Sequence, residues 1–147
     1  MPLAGTRNLG VTCYLSCIAQ VLIRTPAMLE WVKRHVEDGC PEEHGACVVC
    51  GLKKTYDQMR DGIVGRPVVE PVIAARRRAV GPEFSHGQHD AVSFLEQFLV
   101  RARHMEVEHR RYGMWGGLQQ DHPVATQVDW LFGFVQETVS YTHLRAH

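Results

Sequence analysis

Five cysteines and nine histidines in 147 residues are the side chains best able to do chemistry, and spacing sorts them into two groups. The first group centres on Cys13, which follows Asn8-Leu9-Gly10-Val11-Thr12 and leads into an apolar segment. Tyr14, Leu15, Ile18, Ala19, Leu22 and Ile23 recur there at helical spacing, so Cys13 is expected at or just before the first turn of a buried helix. Unpaired N–H groups and the helix dipole at such an end stabilise a thiolate, the nucleophile that acyl transfer needs. Asn8 precedes Cys13 by five residues on a glycine-bearing loop that can fold back toward the sulfur. A side-chain amide so placed can hydrogen-bond the oxyanion of a tetrahedral intermediate. An inert core cysteine is the other meaning of the same spacing. Cys17, one turn later, is expected in the core, since pairing with Cys13 would be strained.

The second group is His35, Cys40, Cys47 and Cys50, spaced His-x4-Cys-x6-Cys-x2-Cys. A Cys-x2-Cys knuckle can hold two corners of a tetrahedral zinc site, and a pair from a nearby helix end and loop can close it. His44 is an alternative fourth ligand. With all four positions taken, no open position remains for water, so the metal would be structural. Reduced thiols on a loop are the alternative. The odd number of cysteines points to a reducing, intracellular compartment, cytoplasm or nucleus. The start, Met1 to Gly5, lacks the basic flank and apolar stretch of a secretory signal.

Further elements must position these groups. Pro26 ends the first helix at Thr25 and opens a second to about His35, with Met28, Leu29 and Val32 inward. A polar loop covers 36–46. A third helix runs from about Cys47 to Met59, with Leu52, Tyr56 and Met59 on one face, and Asp61-Gly62 closes it. An extended piece lies between Pro67 and Pro71. A short basic helix follows from Val72 to Arg78, with Arg76, Arg77 and Arg78 on a solvated face. The longest helical pattern spans about Asp90 to His109, with a stripe of Ala91, Phe94, Leu95, Phe98, Leu99 and Ala102. Residues 110–125 read as irregular, and Val128 to Val135 as helix and then the start of a strand. The last stretch, 139–147, resembles translated sequencing-library text and is expected to be a non-native tail. Lys+Arg and Asp+Glu are both 16, which argues against nucleic-acid and membrane-surface binding, since both want basic excess. No apolar run reaches the about 18 residues that span a bilayer. The length suits one domain or part of one.

Residues 5–22 resemble the cysteine box of the ubiquitin-specific proteases, roughly G-L-x-N-L-G-N-T-C-Y-M-N-S-x-L-Q. Gly5, Asn8, Leu9, Gly10, Thr12, Cys13, Tyr14 and Gln20 match. Val11 departs from the family's Asn, Leu15-Ser16-Cys17 from Met-Asn-Ser, and Ala19 from Leu. The resemblance implies Cys13 as nucleophile and Asn8 as oxyanion donor. Gln88-His89-Asp90-Ala91-Val92-Ser93-Phe94-Leu95 is similar to the family's Q-Q-D-A-x-E-F-L, which opens a helix beside the cleft, with Ser93 in place of Glu. It implies Gln88, His89 and Asp90 as substrate-binding residues, with Asp90 engaging arginines of the ubiquitin tail. Asp90 also reads as a plain helix cap. Val128-Asp-Trp-Leu-Phe-Gly133 resembles the lead into the family's fingers, and Cys47 to Leu52 the end of a His/Cys insertion that some members carry.

The fold implied is α+β, a papain-like cysteine protease of which this chain holds mainly the helical thumb half. A partial catalytic domain would cover 5–138, with 35–50 as a zinc-binding insertion. The activity implied is thiol-dependent hydrolysis of peptide or isopeptide bonds at ubiquitin's C-terminal glycine, with no cofactor for catalysis. Ubiquitin and ubiquitinated proteins would be the partners, with no nucleic acid and no membrane. None of the nine histidines sits in the Gly-His-Tyr-like context of the family's His box. The catalytic His and its Asp or Asn partner are therefore expected outside these residues, and the chain alone is expected to be inactive. A non-catalytic ubiquitin-binding or scaffold protein of the same descent is the alternative.

Overall fold

A computed structural model describes residues 2–40, 46–112 and 126–132. Among the described residues six α-helices follow in order: α1 (Cys13–Arg24), α2 (Pro26–Glu37), α3 (Val48–Asp61), α4 (Val72–Ala75), α5 (Ala91–Tyr112) and α6 (Gln127–Phe132). Two 3-10 turns, Arg77–Ala79 and Pro82–Ser85, lie between α4 and α5. The described residues contain no strand, only a single parallel bridge between Thr6 and Val68. The chain divides into two compact units, Met1–Ala102 and Arg103–His147.

The first unit is built as the apolar spacing predicts. In α1 the buried face is Tyr14, Leu15, Ile18, Ala19, Leu22 and Ile23. Thr25 turns extended, and Pro26 sits at the start of α2, where its missing N–H costs nothing. From α2, Met28, Trp31, Val32 and His35 point inward, while Leu29 is half-buried. Leu52 and Met59 of α3 are buried with Thr55, and Tyr56 is half-buried. Cys47 lies just outside α3 as its N-cap. Helices α1, α2, α3 and α4 pack on one another.

The extended piece before Pro71 has a partner that spacing alone does not reveal. Val68 N donates to Gly5 O at 2.8 Å and Arg7 N to Val68 O at 2.8 Å, while Ala4 N reaches Met59 O at 2.9 Å. These bonds hold the segment that leads to Cys13 against α3 and the loop after it.

Two expectations need correction. The basic helix stops at Ala75 and breaks into a 3-10 turn. Arg76 and Arg77 are half-buried rather than solvated, and only Arg78 is exposed. The cause is the broken backbone itself, which leaves carbonyls needing donors. Arg77 donates to Ala74 O, Phe84 O and Ser85 O at 2.6, 2.9 and 3.2 Å. Arg76 donates to Cys47 O at 2.9 Å. The start of α4 has the converse need, donors without acceptors, and α3 meets it. Gln58 Oε1 accepts from Val72 N at 3.0 Å and Thr55 Oγ1 from Ile73 N at 2.9 Å.

In the second unit Asp129 Oδ2 accepts from Thr126 N and Oγ1 at 2.8 and 2.9 Å, capping α6, and Arg103 Nε donates to its Oδ1 at 2.9 Å. Val128 and Met105 are buried. The helix expected from Val128 is thus present. The strand expected after it and the tail 139–147 fall outside the described residues, as do 113–125 of the stretch 110–125 expected to be irregular; its first residues, 110–112, instead belong to α5.

Thr55 is fully buried and also donates to Gly51 O at 2.8 Å. Thr55→Val keeps the shape but strands the Ile73 N–H. Urea unfolding should show a loss of about 1–3 kcal/mol, with Thr55→Ser losing less because its hydroxyl remains.

Candidate functional site

Cys13 is the first residue of α1 and is exposed. The loop before it is closed by its own side chains. Leu9 N donates to Thr12 Oγ1 at 2.9 Å, and Asn8 Oδ1 accepts from Thr12 N and Thr12 Oγ1, each at 3.3 Å. Gly10 makes this path affordable for the backbone, with φ +84° in the left-handed region that favours glycine. Because Asn8 Oδ1 faces Thr12, the Asn8 Nδ2 is the group left to donate elsewhere. Thr12 is buried beneath the loop.

Residues 84–90 form a strap that reaches Cys13 from the other side. Gln88 Nε2 donates to Cys13 Sγ at 3.7 Å, across 75 residues of sequence. The strap rests on an aromatic cluster. Tyr14 lies 5.4 Å from Phe94 and 6.0 Å from Phe84, and Phe84 and Phe94 meet edge-on at 5.1 Å. His89 stands edge-on to Tyr14 and Phe84 at 5.5 and 5.0 Å. Its Nε2 contacts His86 O at 2.7 Å. A carbonyl only accepts, so that nitrogen carries its proton and is occupied. Asp90 is exposed and caps α5: its Oδ2 accepts from Ser93 N and Oγ at 2.9 and 3.3 Å. Burial pushes the Tyr14 phenol above its ordinary value, keeping it neutral beside the sulfur.

Cys17 is exposed, which corrects its expected place in the core. It sits four residues from Cys13 and four from exposed Val21, so all three share the outer face of α1.

His35, Cys40, Cys47 and Cys50 are all buried, and their ligand atoms lie within 4.8 Å of one another. With metal–sulfur and metal–nitrogen bonds of about 2.3 and 2.0 Å, tetrahedral ligand atoms stand roughly 3.5–3.8 Å apart. His35 Nε2 is 3.4 Å from Cys47 Sγ, close to that spacing. The His35 ring stacks on Trp31 at 6.0 Å, which fixes its direction. Cys47 Sγ also accepts from Cys50 N at 3.3 Å. The side-chain hydrogen bond between the Cys47 and Cys50 thiols, and then burial, push the Cys47 thiol up to about 12, against the lowering effect of His35 and of the Cys50 N–H. The same thiol–thiol bond holds Cys50 below the usual thiol range, with help from the Arg76 charge. A cation bound among them would displace the thiol protons, as metal binding to thiols requires. The donor set therefore fits a thiophilic metal ion. His44, the alternative ligand, lies outside the described residues.

Spacing does not single out Thr55 and Gln58, which hold the start of α4, and it reads Arg76 and Arg77 only as a solvated face, yet these hold the start of α3 and the strap. The one signal in the sequence is Gly51. A Cβ there would fall 2.8 Å from Arg76 Cδ, so a glycine inside α3 marks where another chain segment crosses.

A family model described as ubiquitin carboxyl-terminal hydrolase matches residues 4–142. Over 139 residues the chain is 32% identical to ubiquitin carboxyl-terminal hydrolase 36 of Drosophila virilis, covering 88% of this chain and 11% of that protein. It is 36% identical over 104 residues to the protein of the same name from Drosophila pseudoobscura pseudoobscura, covering 67% and 9%. It is 30% identical over 60 residues to ubiquitin carboxyl-terminal hydrolase nonstop of Drosophila melanogaster, covering 41% and 12%. The chain spans about a tenth of the length of these curated relatives. No solved structure matches it. Since the family match takes in nearly every residue described above, from the loop before Cys13 to the His35–Cys50 quartet and the strap, the chain belongs to the ubiquitin carboxyl-terminal hydrolase family.

Proposed function

We propose that this chain is the N-terminal, mainly helical part of a papain-like catalytic domain that hydrolyses peptide or isopeptide bonds after ubiquitin's C-terminal glycine. The supporting observation is the contact between Gln88 Nε2 and Cys13 Sγ at 3.7 Å. It joins at one sulfur the two stretches that resemble family text, from opposite ends of the first unit.

In this reading Cys13 Sγ attacks the glycine carbonyl and forms a C–S bond. The oxyanion takes hydrogen bonds from Asn8 Nδ2 and from backbone N–H groups at the start of α1. Collapse breaks the C–N bond and expels the lysine amine with a proton, and water then cleaves the thioester. The departing amine needs a general acid and the water a general base. None of the nine histidines sits in the family's His-box context, so in this reading a histidine from elsewhere in the longer protein takes both roles. Gln88 and His89 line the path of the ubiquitin tail, and Asp90 offers the tail's arginines the carboxylate oxygen that does not cap α5.

The metal is zinc, held by His35, Cys40, Cys47 and Cys50. Bound there it supplies a cross-link between α2 and α3, and no chemistry. Three reduced thiolate ligands suit an intracellular protein. No helix among the described residues is long and apolar enough to cross a membrane.

Four measurements test this reading. Iodoacetamide should label Cys13 faster than Cys17, although both are exposed, while hydrolysis of a fluorogenic ubiquitin substrate by the 147-residue chain stays at background. Equal labelling rates would remove the nucleophile assignment, and turnover lost in Cys13→Ala would place a base within these residues. Metal analysis should find about one zinc per chain, lost when Cys47 and Cys50 are both replaced by Ser. In a longer, active chain Asp90→Asn keeps the cap and should weaken ubiquitin binding by on the order of 1.5–3 kcal/mol. Unchanged affinity would leave Asp90 only its capping role. A longer chain that binds ubiquitin without turnover would favour a non-catalytic ubiquitin-binding protein of the same descent.

A further inference from the structure

A centre made of a divalent cation, three thiolates and one neutral imidazole carries a net single negative charge. Buried charge is costly unless an opposite charge lies against it. All four members of the quartet are buried, so the centre needs a cation beside it.

Arg76 is placed for that need. Its Nη1 donates at 2.9 Å to the carbonyl of Cys47, itself one of the four. Its aliphatic stem crosses α3 directly over Gly51, one residue after Cys50, where a Cβ would meet Arg76 Cδ at 2.8 Å. The residue is half-buried, so its charge acts on its surroundings more strongly than that of a solvated arginine. Three other basic residues of α2 and α3 are engaged with carboxylates, Arg34 with Glu30, Lys53 with Asp57, and Arg60 with Asp57 and Asp61, and Lys33 lies over the Tyr56 ring.

We propose that Arg76 is the counter-charge of the metal centre, a positioning residue outside the ligand set that neutralises the site and ties it to the segment after α4. This rests on the metal reading above. Removing such an outer partner typically costs 10–100-fold in metal affinity.

The test is zinc affinity of the 147-residue chain, read by competition with a chromophoric chelator. Arg76→Met should weaken zinc binding about 10–100-fold. Arg76→Gln, which keeps a donor for Cys47 O without the charge, should fall with it, and Arg76→Lys should recover most of the loss. Arg78→Met, at an exposed neighbour, should bind as the parent does. Cys40→His makes a neutral centre of two thiolates and two imidazoles, and on that background the loss from Arg76→Met should largely vanish. A zinc-loaded Arg76→Gln with parental affinity would overturn the counter-charge. So would an equal loss on the neutral background, which would assign Arg76 to packing. A parent chain that takes up no zinc would instead overturn the metal reading and this inference together.

Discussion

Tyr14 follows Cys13 in the chain, and its ring is where the two sides of the site are joined. Backbone geometry alone puts Cys13 at the start of α1, but nothing local brings residue 88 to it. That depends on the packing of Tyr14 against Phe84 and Phe94, all three buried. Burying rings of this kind stabilises by about 1.5–3 kcal/mol each, and edge-on contacts add about 0.5–1.5 kcal/mol. The ring of His89 lies on the same cluster. Gln88 is carried to the sulfur because its neighbour is seated there.

The path from α3 to α5 has little regular structure, so side chains do for it what a helix or sheet ladder does elsewhere. Thr55 and Gln58 accept from the first donors of α4. Arg77 serves three carbonyls, two of them in the strap. Each such bond contributes only about 1 kcal/mol net, but an unmet buried group costs more. This explains polar residues on the inner face of α3, where an apolar stripe alone would pack well and leave the backbone of α4 unserved.

Much of this was legible from residue spacing. The stripe of α1 stands out because its members are strongly apolar, and Pro26 marks a boundary by chemistry that context does not alter. The quartet was legible because Cys47 and Cys50 fall within one turn, although His35 joins them only through packing of α2 on α3. Cys17 was misread because a thiol counts as apolar in any periodic pattern, while its position puts it on the outer face with Cys13 and Val21. The arginines were misread for another reason. Three adjacent cations look solvated, and the carbonyls that bind Arg76 and Arg77 belong to Cys47, Ala74, Phe84 and Ser85. No spacing rule connects those positions. The pairing of Thr6 with Val68 was hidden likewise, being a contact between loops.

The separation of 75 residues between Cys13 and Gln88 sets an order of assembly. Helices α1 to α3 and the His35–Cys50 quartet draw on near neighbours in sequence, and such contacts form early because they close short loops. A ribosome extrudes them first. The thiol therefore emerges on a nearly complete helical platform while the carboxamide that will face it has still to be made. Throughout that interval the Cys13 thiol, exposed in the finished fold as well, has only the loop before α1 beside it.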